Sequence, residues 1–120
     1  MSTEPIKWLD APEEHDYPAA ASYLMLIYRP KDTTVIIEKL KKGKVVSFKA
    51  KDIFRASTLS LLGVSNSHVE KDRKKIVEGK SLSPILLVRA GDKVVIADGY
   101  HRMCAVYSID EDAMIPCKIV

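Results

Sequence analysis

A chain of 120 residues, 47% of them apolar, is long enough for one domain with its own core and too short for two of ordinary size. Its net charge of +3 is distributed among mixed signs, which suits an anionic ligand without calling for a nucleic-acid partner. The two cysteines, Cys104 and Cys117, have neither the spacing of a metal site nor the density of a disulfide scaffold, so a reducing cytoplasm is expected.

The opening "MSTEPIKWLDAPEEHDYP" lacks the basic start and apolar centre of a signal peptide, and no run reaches the ~20 apolar residues of a membrane helix. A soluble protein with no membrane partner is expected. Residues 1–15 read as an irregular arm pinned by Trp8 and Leu9. Asp16 can then cap a helix that tolerates Pro18 in its first turn and runs until Pro30. A second helix is expected from Lys31 to Gly43, with Val35, Ile36 and Leu40 inward and Lys39, Lys41 and Lys42 outward. Together these make residues 1–44 an arm and helical cap on a core of residues 45–120.

"KVVSFKA" is alternating and β-branched, which predicts a strand over Lys44–Ala50. "KDIFRASTLSLLGV" is ambiguous, with Ile53, Phe54, Leu59, Leu61 and Leu62 as candidates for burial. In "SNSHVEKDRKKIVEGK", Ser67 and Glu70 match an S-x-x-E capping box, and Val69, Ile76 and Val77 mark the apolar side of a helix before Gly79. His68 and the charged run Lys71 to Lys75 read as its solvated face. "SPILLVRAGDKVVIADG" carries two apolar runs around Ala90-Gly91-Asp92, a hairpin signal. "MIPCKIV" is a last strand. The sum is an α+β domain on a small mixed sheet.

Chemistry concentrates at "VVIADGYHRMCAVY". Beyond Gly99, Tyr100, Met103, Cys104 and Tyr107 share one helical face. A strand that passes through glycine into a helix leaves the first backbone N–H groups pointing outward, where a phosphate can accept them. His101 and Arg102 sit in that first turn, a position the helix dipole disfavours for cations unless an anion visits. Equally, Asp98 can cap the turn while His101 and Arg102 are merely solvated. Cys104 and Cys117 read as packing residues, and Asp110-Glu111-Asp112 as a solvated turn.

The stretch "VIADGYHRMCAVYSIDEDAMIPCKIV", preceded by Ser83-Pro84-Ile85-Leu86-Leu87-Val88, resembles the phosphate-binding box of the ParB/sulfiredoxin superfamily, in the manner of a small bacterial ParB N-terminal-like domain. The likeness spans about residues 45–120 and is strongest from Leu82 onward. It implies that superfamily's fold and the binding of a nucleoside di- or triphosphate, with or without Mg2+, at Asp98, Gly99, Tyr100, His101 and Arg102. Arg55, Ser57 and Ser83 would approach the same pocket if the strands pair as in ParB domains.

The departures from the pattern bear on activity. Sulfiredoxins carry a cysteine directly before His-Arg, where this chain has Tyr100, so peroxiredoxin repair is not expected. ParB proteins continue into helix-turn-helix segments, for which this sequence has no counterpart, so specific DNA binding by the chain alone, or a partition-type accessory role, is disfavoured. No carboxylate cluster suggests a metal site for a nuclease. Related free-serine kinases place a catalytic glutamate in an upstream helix, where Glu70 stands. Two classes follow: a nucleotide-binding module read by a protein partner, or a nucleotide-dependent enzyme such as a small-molecule kinase or hydrolase.

Overall fold

The computed structural model describes residues 6–60 and 66–120. Among them the elements run α1 (Asp16–Leu24), α2 (Pro30–Lys42), β1 (Val46–Lys49), α3 (Ala50–Ser57), α4 (Ser67–Val77), β2 (Ile85–Ala90), β3 (Lys93–Asp98), α5 (Tyr100–Ile109) and β4 (Met114–Ile119). The strands form one mixed sheet in the order β1-β4-β2-β3. β1 is antiparallel to β4, β4 parallel to β2, and β2 antiparallel to β3. This is the expected α+β domain.

Alternation along the strands sends side chains to two cores. Ile85, Leu87, Ile96, Ile115 and Cys117 face one layer, where they pack with Ile53 of α3, Val69 of α4 and Met103 to Val106 of α5. Leu86, Val88, Val95 and Ala97 face the other, against Tyr17, Ala20 and Leu24 of α1 and Ile37 and Leu40 of α2. Helices therefore cover both faces, and the interior strand β2 is apolar at four consecutive positions because neither face meets water.

The arm is tied down by its backbone. Leu82 donates to the Lys7 carbonyl and accepts from the Leu9 N–H, a single bridge beside Trp8, which packs on the first core. α1 begins one residue earlier in role than expected: His15 is the N-cap and Asp16 is the first helical residue, its carboxylate accepting from Glu13 N–H at 2.9 Å. α1 also stops at Leu24, well short of Pro30. Pro30 instead opens α2, where its missing N–H costs nothing and its φ is already helical.

On α2 the buried stripe is Thr33, Ile37 and Leu40, at spacings of four and three. The expected inward Val35 is 49% exposed, because the helix phase is set by Ile37 and Leu40 and places residue 35 outside. β1 is shorter than expected, since Ala50 already belongs to α3, with Ala50 and Lys51 N–H groups bonded to the carbonyls of Ala113 and Glu111. α3 buries Ile53 and ends at Thr58 in the left-handed region, φ 59°. Leu59 is 40% exposed rather than buried, as the chain has left the helix there. Leu61 and Leu62 lie outside the described residues.

α4 is helical as expected, with a different start. Asn66 is its N-cap, and its Oδ1 accepts from the N–H groups of His68 and Val69 at 3.0 and 3.2 Å. The Ser67–Glu70 capping box is therefore not formed: Ser67 lies inside the helix, and the Glu70 carboxylate turns to Arg73 at 3.6 Å. Val69 is buried and Ile76 packs on the core, whereas Val77, assigned to the apolar side, is 82% exposed at the last turn. Arg73 also donates to Ser108 Oγ at 2.7 Å, which pins α4 to α5.

The hairpin is as tight as its sequence suggests. Ala90 pairs with Lys93, and only Gly91 and Asp92 lie between the strands, with Gly91 at φ +70°. At the other end of the pair the register steps from Leu87↔Ile96 to Leu86↔Asp98. β3 thus carries one extra residue just before the chain turns into α5, a bulge of the kind that re-aims a side chain.

Candidate functional site

The turn after the bulge is built around Gly99. Its φ is +109°, and a Cβ placed there would lie 2.8 Å from Ile85 Cγ1 and 3.0 Å from Arg102 Nη2. Only glycine satisfies both the backbone angle and the packing. Gly99 is also the N-cap of α5, and among the described residues no side chain caps the helix. The start of a ten-residue helix therefore lies open to whatever occupies the space before it.

That space is a cleft of about 200 Å³ lined by Asp98 to Arg102 and, across from them, by His68, Lys71, Asp72 and Lys75 of α4. Three permanent cations, Lys71, Lys75 and Arg102, face two carboxylates, Asp72 and Asp98, so the lining carries one net positive charge with both imidazoles neutral and three with both protonated. The imidazoles of His68 and His101 meet at 4.9 Å between ring centres. Burial, and then the neighbouring His68, hold His101 below the usual histidine range, against the pull of Asp72.

Arg102 does two things. Its Nη2 donates to Asp98 Oδ2 at 2.8 Å, closing an i, i+4 ion pair across Gly99, and reaches the Pro84 carbonyl at 3.5 Å. Both side chains of the pair are 17% exposed. Among the described residues the Nε of Arg102 has no hydrogen-bond partner, although it is buried. The Asp98 carboxyl is pushed above its ordinary range by burial, which outweighs the opposing Arg102, and is raised further by the nearby Asp16 carboxyl. The first residue of α1 thus reaches the turn at the far end of β3.

Tyr100 closes one side of the cleft. Its hydroxyl donates to the Ser60 carbonyl, and its ring lies 5.6 Å from that of His101. Burial and the adjacent Cys104 thiol raise its hydroxyl above the ordinary range. Cys104 and Cys117 are both fully buried in the first core. Burial pushes the Cys117 thiol up to about 11.

Asp98, Gly99, Tyr100, His101 and Arg102 therefore converge on one cleft, with Asp98 serving the turn through Arg102. Arg55, Ser57 and Ser83 lie outside its lining. Arg55 is exposed beside Asp52 at 3.8 Å, Ser57 donates to the Phe54 carbonyl at 2.8 Å at the end of α3, and Ser83 is buried before β2. Glu70 is likewise outside, at Arg73. The residues that sequence reasoning missed are Asp16 and, on α4, His68, Lys71, Asp72 and Lys75. The spacing of 68, 71, 72 and 75 marks a single helical stripe, which was the available signal.

Among the described residues no group of three histidine, cysteine or acidic side chains is arranged to hold a metal ion, and no helix is long and apolar enough to cross a membrane. Asp110 and Asp112 instead shape the turn before β4, Asp110 accepting from Asp112 N–H at 2.9 Å and Asp112 pairing with Lys51 at 2.7 Å. No family model, curated protein or solved structure matches the chain.

Proposed function

We propose that the chain is a nucleotide-binding domain of ParB/sulfiredoxin-like kind, and that the cleft at the start of α5 receives the phosphates. The observation that carries this reading is an uncapped helix N-terminus opening onto cations supplied by two helices, Lys71 and Lys75 from α4 and Arg102 from α5. The order of hairpin, glycine turn, helix and final strand supports the same reading. Lys71 and Lys75, one turn apart, are better placed than Arg102 to move toward an anion, because Arg102 is already engaged with Asp98.

A thermal-shift screen of nucleoside mono-, di- and triphosphates, with and without magnesium, tests this. Magnesium arriving with the phosphates would be held mainly by them and by one carboxylate, as this ion commonly is. A ligand at 100 times its dissociation constant adds about 2.7 kcal/mol. The expected result is a clear rise with di- or triphosphates that the double substitution Lys71→Ala, Lys75→Ala removes. No shift with any phosphate compound would sink the proposal.

An enzyme is the second reading, and one observation favours it: Asp72 lines the cleft beside His101, whereas Glu70 does not. A phosphotransferase or hydrolase built here would use Asp72 as its base. Turnover of a bound nucleotide that disappears in Asp72→Asn would distinguish this from a module whose ligand state is read by a protein partner.

A further inference from the structure

A second cleft, of about 400 Å³, lies on the other side of the same turn. It shares Asp98 to His101 with the first, and its remaining lining is Tyr23 of α1, Leu59, Ile96 and Ala97. The chemistry of the two is opposed. The α4 side of the first supplies lysines, a histidine and an aspartate, while the residues peculiar to the second, Tyr23, Leu59, Ile96 and Ala97, are aliphatic or aromatic.

Size separates the roles further. At about 200 Å³ the polar cleft falls below the roughly 300–1,000 Å³ of small-molecule sites and suits the anionic head of a ligand. The apolar cleft falls inside that range. Tyr23 and Leu59 are 42% and 40% exposed, so their apolar surface is not accounted for by the core. Tyr100 stands between the clefts, its hydroxyl bonded to the Ser60 carbonyl, and presents its ring at the border.

We infer that the apolar cleft holds the base of the nucleotide whose phosphates occupy the polar one, and that it holds that base by stacking and apolar contact with Tyr23, Leu59 and Tyr100 rather than by reading its edge. The inference rests on the phosphate reading above. Of the side chains lining this cleft, the Asp98 carboxylate is engaged by Arg102 and the Tyr100 hydroxyl by the Ser60 carbonyl, which leaves the Tyr23 hydroxyl and the His101 imidazole, too little to tell one base edge from another. Stacking is tolerant because every base has a π-face. The site would thus discriminate for phosphates plus a ring, and weakly between rings. Tyr23 belongs to α1, outside the stretch that resembles the superfamily, so this arm of the site would be a contribution of the N-terminal helices.

Calorimetric titration with inorganic triphosphate and with one purine and one pyrimidine nucleoside triphosphate tests this in the wild type, Tyr23→Ala and Tyr23→Phe. Inorganic triphosphate carries the larger negative charge, so electrostatics alone would favour it. The expected result is that both nucleotides bind about tenfold or more tightly than inorganic triphosphate, a margin consistent with ring stacking, and within a few-fold of each other. Tyr23→Ala should remove most of that margin with triphosphate affinity unchanged, and Tyr23→Phe should retain it. Equal affinity for triphosphate and nucleotides in the wild type would overturn the base site while leaving the phosphate site standing. A preference of a hundredfold for one base would overturn recognition by stacking. Absence of binding by all three would overturn the phosphate site and this inference together.

Discussion

Asp98 and Arg102 face each other at 2.8 Å across Gly99, so that the last residue of β3 and the first turn of α5 are held by one ion pair at the mouth of the polar cleft. The pair both braces the turn and competes with any anion for the guanidinium. Breaking it from either side should therefore have opposite effects on binding. Arg102→Ala leaves the Asp98 carboxyl half-buried beside Asp16 and is expected to cost about 1–3 kcal/mol of stability, as well as anion affinity. Asp98→Asn removes a negative charge from the cleft and releases Arg102, and should tighten triphosphate binding several-fold. Chemical denaturation and calorimetry on the two variants check both halves; weaker binding by Asp98→Asn would show that bracing outweighs competition.

Gly99→Ala should be harmful without touching a charge. The substitution combines a φ of +109° with a Cβ 2.8 Å from Ile85 Cγ1, and Ile85 is fully buried in the centre of the sheet. Strain of this kind costs about 1–3 kcal/mol before any repacking. The urea midpoint reads it directly. Gly91→Ala, with nothing within 4 Å of the added carbon, should cost less.

Asn66→Ala and Ser67→Ala separate the two possible starts of α4. Asn66 accepts two backbone N–H groups, so its loss should cost about 1 kcal/mol, whereas Ser67→Ala should be close to neutral. Glu70→Gln should be nearly silent in stability and in ligand binding, since its carboxylate is exposed and meets Arg73 at 3.6 Å, outside the cleft.

The His101 contribution to stability depends on pH with a definite sign. Its folded-state pKa lies below the ordinary 6.5, so the unfolded chain takes up the proton first as pH falls. The stabilising contribution is complete above about pH 6.5, the unfolded value, and is lost as pH falls through the lower folded value. A bound anion favours the protonated ring, so ligand should reduce this acid loss. Histidine proton shifts followed by NMR with and without pyrophosphate measure both. A His101 resonance titrating above 6.5 in the free protein would contradict the assignment.

Both thiols should resist alkylation in the native protein. Cys104 and Cys117 are fully buried, and the Cys117 thiol is held near 11. The thiolate is the reactive form, so labelling should follow unfolding rather than precede it. Rapid labelling of Cys104 in native buffer would point to a redox role instead.

Apart from α3, whose segment was ambiguous, the order of helices and strands was legible in the sequence because it rests on local patterns: the Gly91-Asp92 turn, the apolar run of β2, the proline and lysines that bound α2. The five residues from Asp98 to Arg102 were legible as a unit for the same reason. What escaped was set by tertiary contact. Val35 and Ile37 are both apolar, and only the packing of α2 into the second core, where Ile37 joins α1 and the sheet, decides which is inside. Asn66 and Ser67 are both good caps, and the choice depends on where the chain enters the helix. Lys71, Asp72 and Lys75 looked like a solvated face, and half of that face is instead the wall of a cleft, because Arg73 and Ser108 fix α4 alongside α5. Asp16 lies far along the chain from Asp98, and nothing local announces their meeting.

The position of β4 governs how the chain is assembled during synthesis. It is the last of these elements to emerge from a ribosome, yet it occupies an interior place in the sheet, between β1 and β2. Until its residues are free, β1 has no neighbour, and the β2–β3 hairpin exposes the edge that β4 will cover. Until β4 has emerged, the nascent protein therefore carries two unsealed strand edges, and a chaperone acting on it would be needed in the interval before β4 becomes available.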